Sequence, residues 1–142
     1  MPEVHIYIET DSVSPRKGLK QYGYVLETPG DTRTREGFGA VKGTWHNATL
    51  YALIESVSRL LEPCEVHIHI PNEYVAYMLD KNLAGWAQTG FLGSKGKPVA
   101  NREEWEVLWD LVKDQTIIPE PGHHAYSRWL IEEMKRKEKE DV

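Results

Sequence analysis

The sequence predicts a single α/β domain over residues 1–142, a five-stranded mixed β-sheet flanked by α-helices. Three observations carry this expectation. Three β-type runs come first, before any helical pattern. An amphipathic stripe of helical spacing then separates them from a fourth run, CEVHIHI. Beyond it helical segments dominate, with room for one more short strand, which gives the order βββαβαα(β)α.

Val4–Glu9 (VHIYIE) is β-branched and aromatic and ends in the turn-forming Thr10-Asp11-Ser12. Ser14–Lys20, with Pro15 and Gly18, reads as a loop. Gln21–Glu27 is a second strand, Pro29-Gly30-Asp31 a turn, and Thr32–Val41 a third strand closing a hairpin. Leu50, Leu53, Ile54, Val57, Leu60 and Leu61 recur at helical spacing, with Asn47 as the expected cap and Pro63 marking the end. Cys64–Ile70 is the fourth strand, and Pro71-Asn72 opens a short helix through about Leu79. Residues 81–100 form a Gly- and Lys-containing excursion. Asn101 caps another helix, with Glu104 spaced as in a capping box and Trp105, Leu108, Trp109 and Val112 as its apolar stripe. Gln115–Ile118 is a short fifth strand, and a final helix from His123 frays over residues 135–142.

A chain of 142 residues can bury roughly 68–70% of its unfolded surface. With 40% hydrophobic and 27% charged residues it is globular, not disordered. Cys64 is the single cysteine, so a disulfide framework is excluded and a reducing cytoplasm is the expected location. No apolar run approaches the ~20 residues that span a bilayer, and MPEVHIYIET has no signal-peptide pattern. The net charge of −5 argues against a surface that is uniformly a nucleic-acid footprint. It leaves room for a local patch: residues 81–102 hold Lys81, Lys95, Lys97 and Arg102 and no acid, with Trp86 and Phe91 interleaved.

This order of elements resembles the type 1 ribonuclease H family over nearly the whole chain. The residues that carry the resemblance are Cys64-Glu65-Val66 followed by Asn72-Glu73-Tyr74-Val75, and Trp86 with Lys95-Gly96-Lys97-Pro98-Val99-Ala100-Asn101 and Trp105. Tyr22-Gly23 in the hairpin also fits. The resemblance implies a ribonuclease H-like fold and an RNA/DNA hybrid as partner, with no membrane. It also implies that residues 81–102 are a basic handle gripping nucleic acid through Trp86, Lys95, Lys97 and Asn101. Arg16, Lys17 and Lys20 would add contacts from the loop after the first strand.

Family members cleave the RNA strand with carboxylates that hold two Mg²⁺ or Mn²⁺ ions. Glu9 falls at the family's first Asp. Asp11 is the alternative, because Thr10-Asp11-Ser12 resembles Thr-Asp-Gly-Ser and strand alternation puts it on the face of Glu9 if the strand continues. The family's helix Glu falls at Leu50. Glu55, five residues on, is rotated by about 140° and shifted by about 7.5 Å, so it cannot substitute. The family's central Asp falls at Pro71, and Glu73 lies on the following helix. Anchoring on Gly122-His123 places Glu133 at the last acid; anchoring on His124 places Ile131 there. Leu and Pro cannot ligate Mg²⁺. The resemblance therefore implies a nucleic-acid-binding protein with impaired or lost hydrolysis. One alternative is an active ribonuclease using Glu9 or Asp11 as metal ligands with Glu73, His123 and Glu133. The other is a protein-interaction scaffold.

Histidines also crowd one inferred face, where His5, Tyr7 and Glu9 alternate along the first strand and Glu65, His67 and His69 along the fourth. Two readings stand: a hydrogen-bonded polar layer under a helix, or a transition-metal site of His69, Glu9 and His123 or His124.

Overall fold

The computed structural model describes residues 1–140. Its strands are β1 (Glu3–Thr10), β2 (Gly18–Glu27), β3 (Thr34–Gly43), β4 (Glu65–Ile70) and β5 (Thr116–Pro121). They form one mixed sheet in the order β3-β2-β1-β4-β5. β1, β2 and β3 pair antiparallel, while β1, β4 and β5 run parallel. The helices are α1 (Trp45–Val57), α2 (Glu73–Lys81), α3 (Leu83–Gln88), α4 (Arg102–Val112) and α5 (Ser127–Glu140). The larger core joins Ile6, Ile8, Val66 and Ile68 of the sheet to Leu50 and Leu53 of α1 and Trp105 and Leu108 of α4. On the opposite face α5 packs Leu130 and Met134 against Val25, flanked by Tyr7 and Phe38. No helix among the described residues is long and apolar enough to cross a membrane.

Several boundaries differ from the sequence expectation, each for a local reason. Thr44, not Asn47, caps α1: the two exchange hydrogen bonds, Asn47 N–H to Thr44 Oγ1 at 3.2 Å and Thr44 N–H to Asn47 Oδ1 at 2.9 Å. α1 stops at Val57 because i→i−3 bonds from Arg59 and Leu60 tighten its end, leaving Leu61 fully exposed. β2 starts at Gly18, inside the expected loop. The Asn101–Glu104 capping box does not form. Asn101 is left-handed (φ 60°) and spends its side chain on Asn47, whose Nδ2 donates to Asn101 Oδ1 at 2.7 Å. β5 extends to Pro121 because its prolines lie on an edge strand. α5 stays helical through Glu140, where Arg136 pairs with Glu133 and Glu140, instead of fraying from residue 135; residues 141–142 of that expectation lie outside the described residues.

Candidate functional site at the ends of β1 and β4

The parallel register sets Tyr7 opposite His69, so β1 and β4 end on the same edge of the sheet, near Glu9 and Pro71. From here the chain leaves in opposite directions along the sheet, the place where open α/β sheets bind ligands.

Glu9 is 4% exposed. Its Oε2 accepts from Ser127 Oγ and faces His123 Nδ1 at 3.1 Å, with His124 Nε2 at 3.7 Å. His124 donates Nε2–H to the carbonyl of Ile8 at 2.7 Å and accepts the Tyr126 N–H on Nδ1. The ring is therefore neutral, and burial pushes its pKa below the ordinary histidine value. The His124 N–H donates to Ser127 Oγ at 2.9 Å, so the loop entering α5 is folded around the Glu9 carboxylate.

Asn72 caps α2 by accepting the Val75 N–H at 3.1 Å. Its Nδ2 donates to His46 Nδ1 at 2.9 Å and to Thr49 Oγ1 at 3.2 Å. Burial pushes the His46 pKa down, and its ring stacks on Tyr74 at 4.5 Å. Leu50 is wholly buried in the core, so the α1 side chain turned toward the end of β4 is its neighbour Thr49.

Of the expected catalytic residues, the structure brings Glu9 and His123 together and places the others elsewhere. β1 ends at Thr10, so Asp11 does not continue the face of Glu9; it is exposed and its Oδ1 accepts the Gln21 N–H at 2.9 Å. Glu73 is exposed beside Tyr77, Pro119 and Pro121. Glu133 is paired to Arg136 at 2.6 Å, and that guanidinium holds its carboxyl below the usual range. Glu55 accepts from Tyr22 Oη at 2.5 Å. Mg²⁺ asks for several hard oxygen ligands, and of these acids only Glu9 turns to this edge. The donor set does not match a carboxylate-held pair of ions. Ser127, Asn72, Thr49 and His46 were not legible as site residues. Their partners lie 23 to 118 residues away, with no local pattern to mark them.

The histidine face is a hydrogen-bonded layer: His5, His67 and His69 link to one another and to Glu120. Glu9, His69 and His123 do not converge. Among the described residues, the group with ligand atoms all within 4.8 Å of one another is Glu3, His5 and His67.

The segment after α2 folds as helix α3 and a turn closed by a Leu92–Pro98 bridge. Lys95 and Lys97 are exposed in this turn, where Gly96 supplies a positive φ of 74°. Lys81 pairs with Asp80 and Arg102 with Glu106, which leaves Lys95 and Lys97 as the unpaired cations of this segment among the described residues. Trp86 is half-buried, edge-on to Trp105 at 5.4 Å, and Phe91 is buried, so the aromatics anchor the turn to the core. A groove of about 540 Å³ runs between the β1–β2 loop and the start of α4, lined by Val13, Pro15, Trp45, His46 and Asn101. Arg16 and Lys17 are exposed next to Pro15. Lys20 is buried, its Nζ donating to the Arg16 carbonyl at 2.6 Å, and it braces that loop from within.

No family model matches the chain. Ribonuclease H of Paracidovorax citrulli (strain AAC00-1) is 37% identical, the match covering 92% of this chain and 82% of the relative. Ribonuclease H of Rhizobium meliloti (strain 1021) is 33% identical with 82% of each covered. For ribonuclease H of Campylobacter curvus (strain 525.92) the identity is 38%, over 63% of this chain and 59% of the relative. In structure the chain is similar to LC9-RNase H1, a type 1 RNase H (TM-score 0.70, 18% identity, 91% of this chain and 68% of that one). It is also similar to the PFV RNase H domain (TM-score 0.66, 20% identity, 94% and 90%). On the sequence relatives together with this fold, the chain belongs to the ribonuclease H family.

Proposed function

We propose that this protein binds nucleic acid, an RNA/DNA hybrid above all, and has lost most or all of its two-metal hydrolysis. The observation that carries the reading is the state of Glu9. Its carboxylate is buried and engaged by Ser127 and His123, while the facing positions on α1 and after β4 offer Thr49, Asn72 and Pro71. Hydroxyl and amide groups do not replace the anionic oxygens that gather Mg²⁺ or Mn²⁺. Binding is supported by the exposed Lys95 and Lys97 of the 81–102 handle, by Arg16 and Lys17, and by the groove between those two elements. It is also supported by LC11-RNase H1, a structural neighbour at TM-score 0.61 that is described in complex with an RNA/DNA hybrid. A single buried Cys64 suits a reducing compartment such as the cytoplasm.

The test is a labelled RNA/DNA hybrid incubated with the full chain in Mg²⁺ and in Mn²⁺, with binding measured on the same hybrid. The expected result is salt-sensitive binding without cleavage above the buffer rate. Cleavage by the wild type that is lost in Glu9→Gln would establish an active nuclease instead. Absence of binding to hybrid and to single strands at low salt would leave an interaction scaffold.

A further inference from the structure

At the other end of the same strand pair, two identical tripeptide patterns meet. Glu3-Val4-His5 opens β1 and Glu65-Val66-His67 lies at the start of β4. The parallel register sets Glu3 against Glu65 and His5 against His67. Side chains two apart on a strand share a face, so two carboxylates and two imidazoles form a square. α5 packs on β1 and β2, and the square stays open to solvent: the His5 and His67 side chains are 21% and 17% exposed, those of Glu3 and Glu65 45% and 40%.

The two rings are held from behind. His67 Nδ1 donates to Glu120 at 3.0 Å, since a carboxylate only accepts, and His69 Nδ1 lies 3.2 Å from the other oxygen of Glu120. His5 Nδ1 and His69 Nε2 share one proton across 2.9 Å. The Nε2 atoms of His5 and His67 both face carboxylates. His5 Nε2 is 3.1 Å from Glu3, and His67 Nε2 is 3.1 Å from Glu65 and 3.7 Å from Glu3. Glu3, His5 and His67 each bring a ligand atom within 4.8 Å of the others, and the two rings stack with centroids 4.6 Å apart at 10°. Ligands about 2.0–2.2 Å from a tetrahedral ion stand roughly 3.4 Å from one another, which the 3.1 and 3.7 Å separations of Glu3 from His5 and His67 already approach.

We propose that Glu3, His5 and His67 bind a transition-metal ion, Zn²⁺ being the natural occupant, that ties β1 to β4, with Glu65 beside His67 and with Glu120 and His69 fixing the orientation of the two ligand rings. Mixed imidazole and carboxylate ligation selects Zn²⁺ and its neighbours over Mg²⁺, and the carboxylate–histidine–metal chain through Glu120 is the usual support of such sites. The site is separate from Glu9 and independent of nucleic-acid binding.

The test is calorimetric titration of Zn²⁺ into the full chain, untagged and stripped of metal with a chelator, paired with Co²⁺ absorption in the visible range. One ion per chain and a four-coordinate Co²⁺ spectrum are expected for the wild type. Glu3→Gln, at an exposed position that does not endanger folding, should weaken binding at least tenfold, and Glu120→Gln by about 10–100-fold. His67→Gln, with its fold checked by circular dichroism, should abolish it. No heat from the wild type would overturn the proposal. So would binding that persists in Glu3→Gln at full strength, or that disappears only in Glu9→Gln.

Discussion

His124 reaches from the start of α5 to the backbone of β1, donating its Nε2 proton to the Ile8 carbonyl at 2.7 Å, one residue before Glu9. Its Nδ1 accepts the Tyr126 N–H, which only a neutral ring can do, and burial holds the pKa of that ring below its ordinary value of 6.5. Below about pH 6.5 the unfolded chain therefore takes up a proton at this histidine before the folded chain does, so acid removes stability. His124→Gln keeps an N–H donor and has no titration. Urea midpoints measured from pH 7.5 to 5 should show the wild type losing its margin over His124→Gln as the pH falls. A constant margin would mean that His124 is not held neutral.

Ser127 satisfies two groups at once, giving its hydroxyl proton to Glu9 and accepting the His124 N–H. Ser127→Ala leaves a buried carboxylate one donor short and an amide without its acceptor. The expected cost is about 1–3 kcal/mol in urea unfolding with an unchanged m value. A loss below about 0.5 kcal/mol, within the range of ordinary surface changes, would show that Glu9 does not depend on this hydroxyl.

Lys95 and Lys97 project from a turn whose aromatic residues face inward, so charge and anchoring are separable. Lys95→Glu with Lys97→Glu should weaken hybrid binding and make the log–log salt dependence shallower by about 1 for each phosphate no longer neutralised. Trp86→Ala should lower stability by removing the ring that packs edge-on against Trp105. Equal affinity and salt slope in the double variant would remove the handle as the binding element. Filter binding across a salt series measures both.

Strand order and helix faces are legible in the sequence because alternation and helical spacing are local. The Leu50 stripe and the VHIHI run each state which side is buried, and the resemblance supplies their arrangement. The features that escape the sequence are set at a distance. Asn101 has the chemistry of a cap, but Asn47, on another helix, takes its side chain. α3 is six residues with a glycine inside, too short to show a period. Leu50 aligns with the end of β4 by family position although its own stripe marks it as core, and the polar Thr49 beside it faces Asn72. Glu9 is identifiable from its strand position, and His123 and His124 from the loop that the resemblance brings near it; its partner Ser127 becomes visible only when the loop after β5 closes over β1.

Tyr22 and Tyr24 lie directly across the hairpin from Gly39 and Gly37, and each ring occupies the space a Cβ would need there. The absent side chain is what lets Tyr22 reach Glu55 on α1. Gly39→Ala should therefore destabilise by about 1–3 kcal/mol through overpacking, although alanine is ordinarily the better strand residue than glycine. Thermal unfolding of Gly39→Ala beside Tyr22→Phe separates the two effects, because Tyr22→Phe loses the Glu55 bond and keeps the ring. A neutral Gly39→Ala would mean that the ring shifts without cost.

Restoring acids tests the site more directly than removing them. A carboxylate at 49 would stand next to Asn72, and one at 71 would end β4 level with Glu9, since Tyr7 pairs with His69 two residues earlier. Together with Glu9 they would offer Mg²⁺ or Mn²⁺ three anionic oxygen donors on adjoining elements. Thr49→Glu with Pro71→Asp should gain metal-dependent cleavage of the labelled hybrid above the wild-type rate, and its melting temperature should rise with Mn²⁺ concentration, because the ion binds the folded state and relieves carboxylate repulsion. Leu50→Glu should behave oppositely. Its side chain is fully enclosed by core residues, and an unpaired charge there unfolds the domain or lowers its melting temperature sharply, with or without metal. If Leu50→Glu with Pro71→Asp folds and cleaves while the Thr49 pair does not, the assignment of the α1 position facing β4 is wrong.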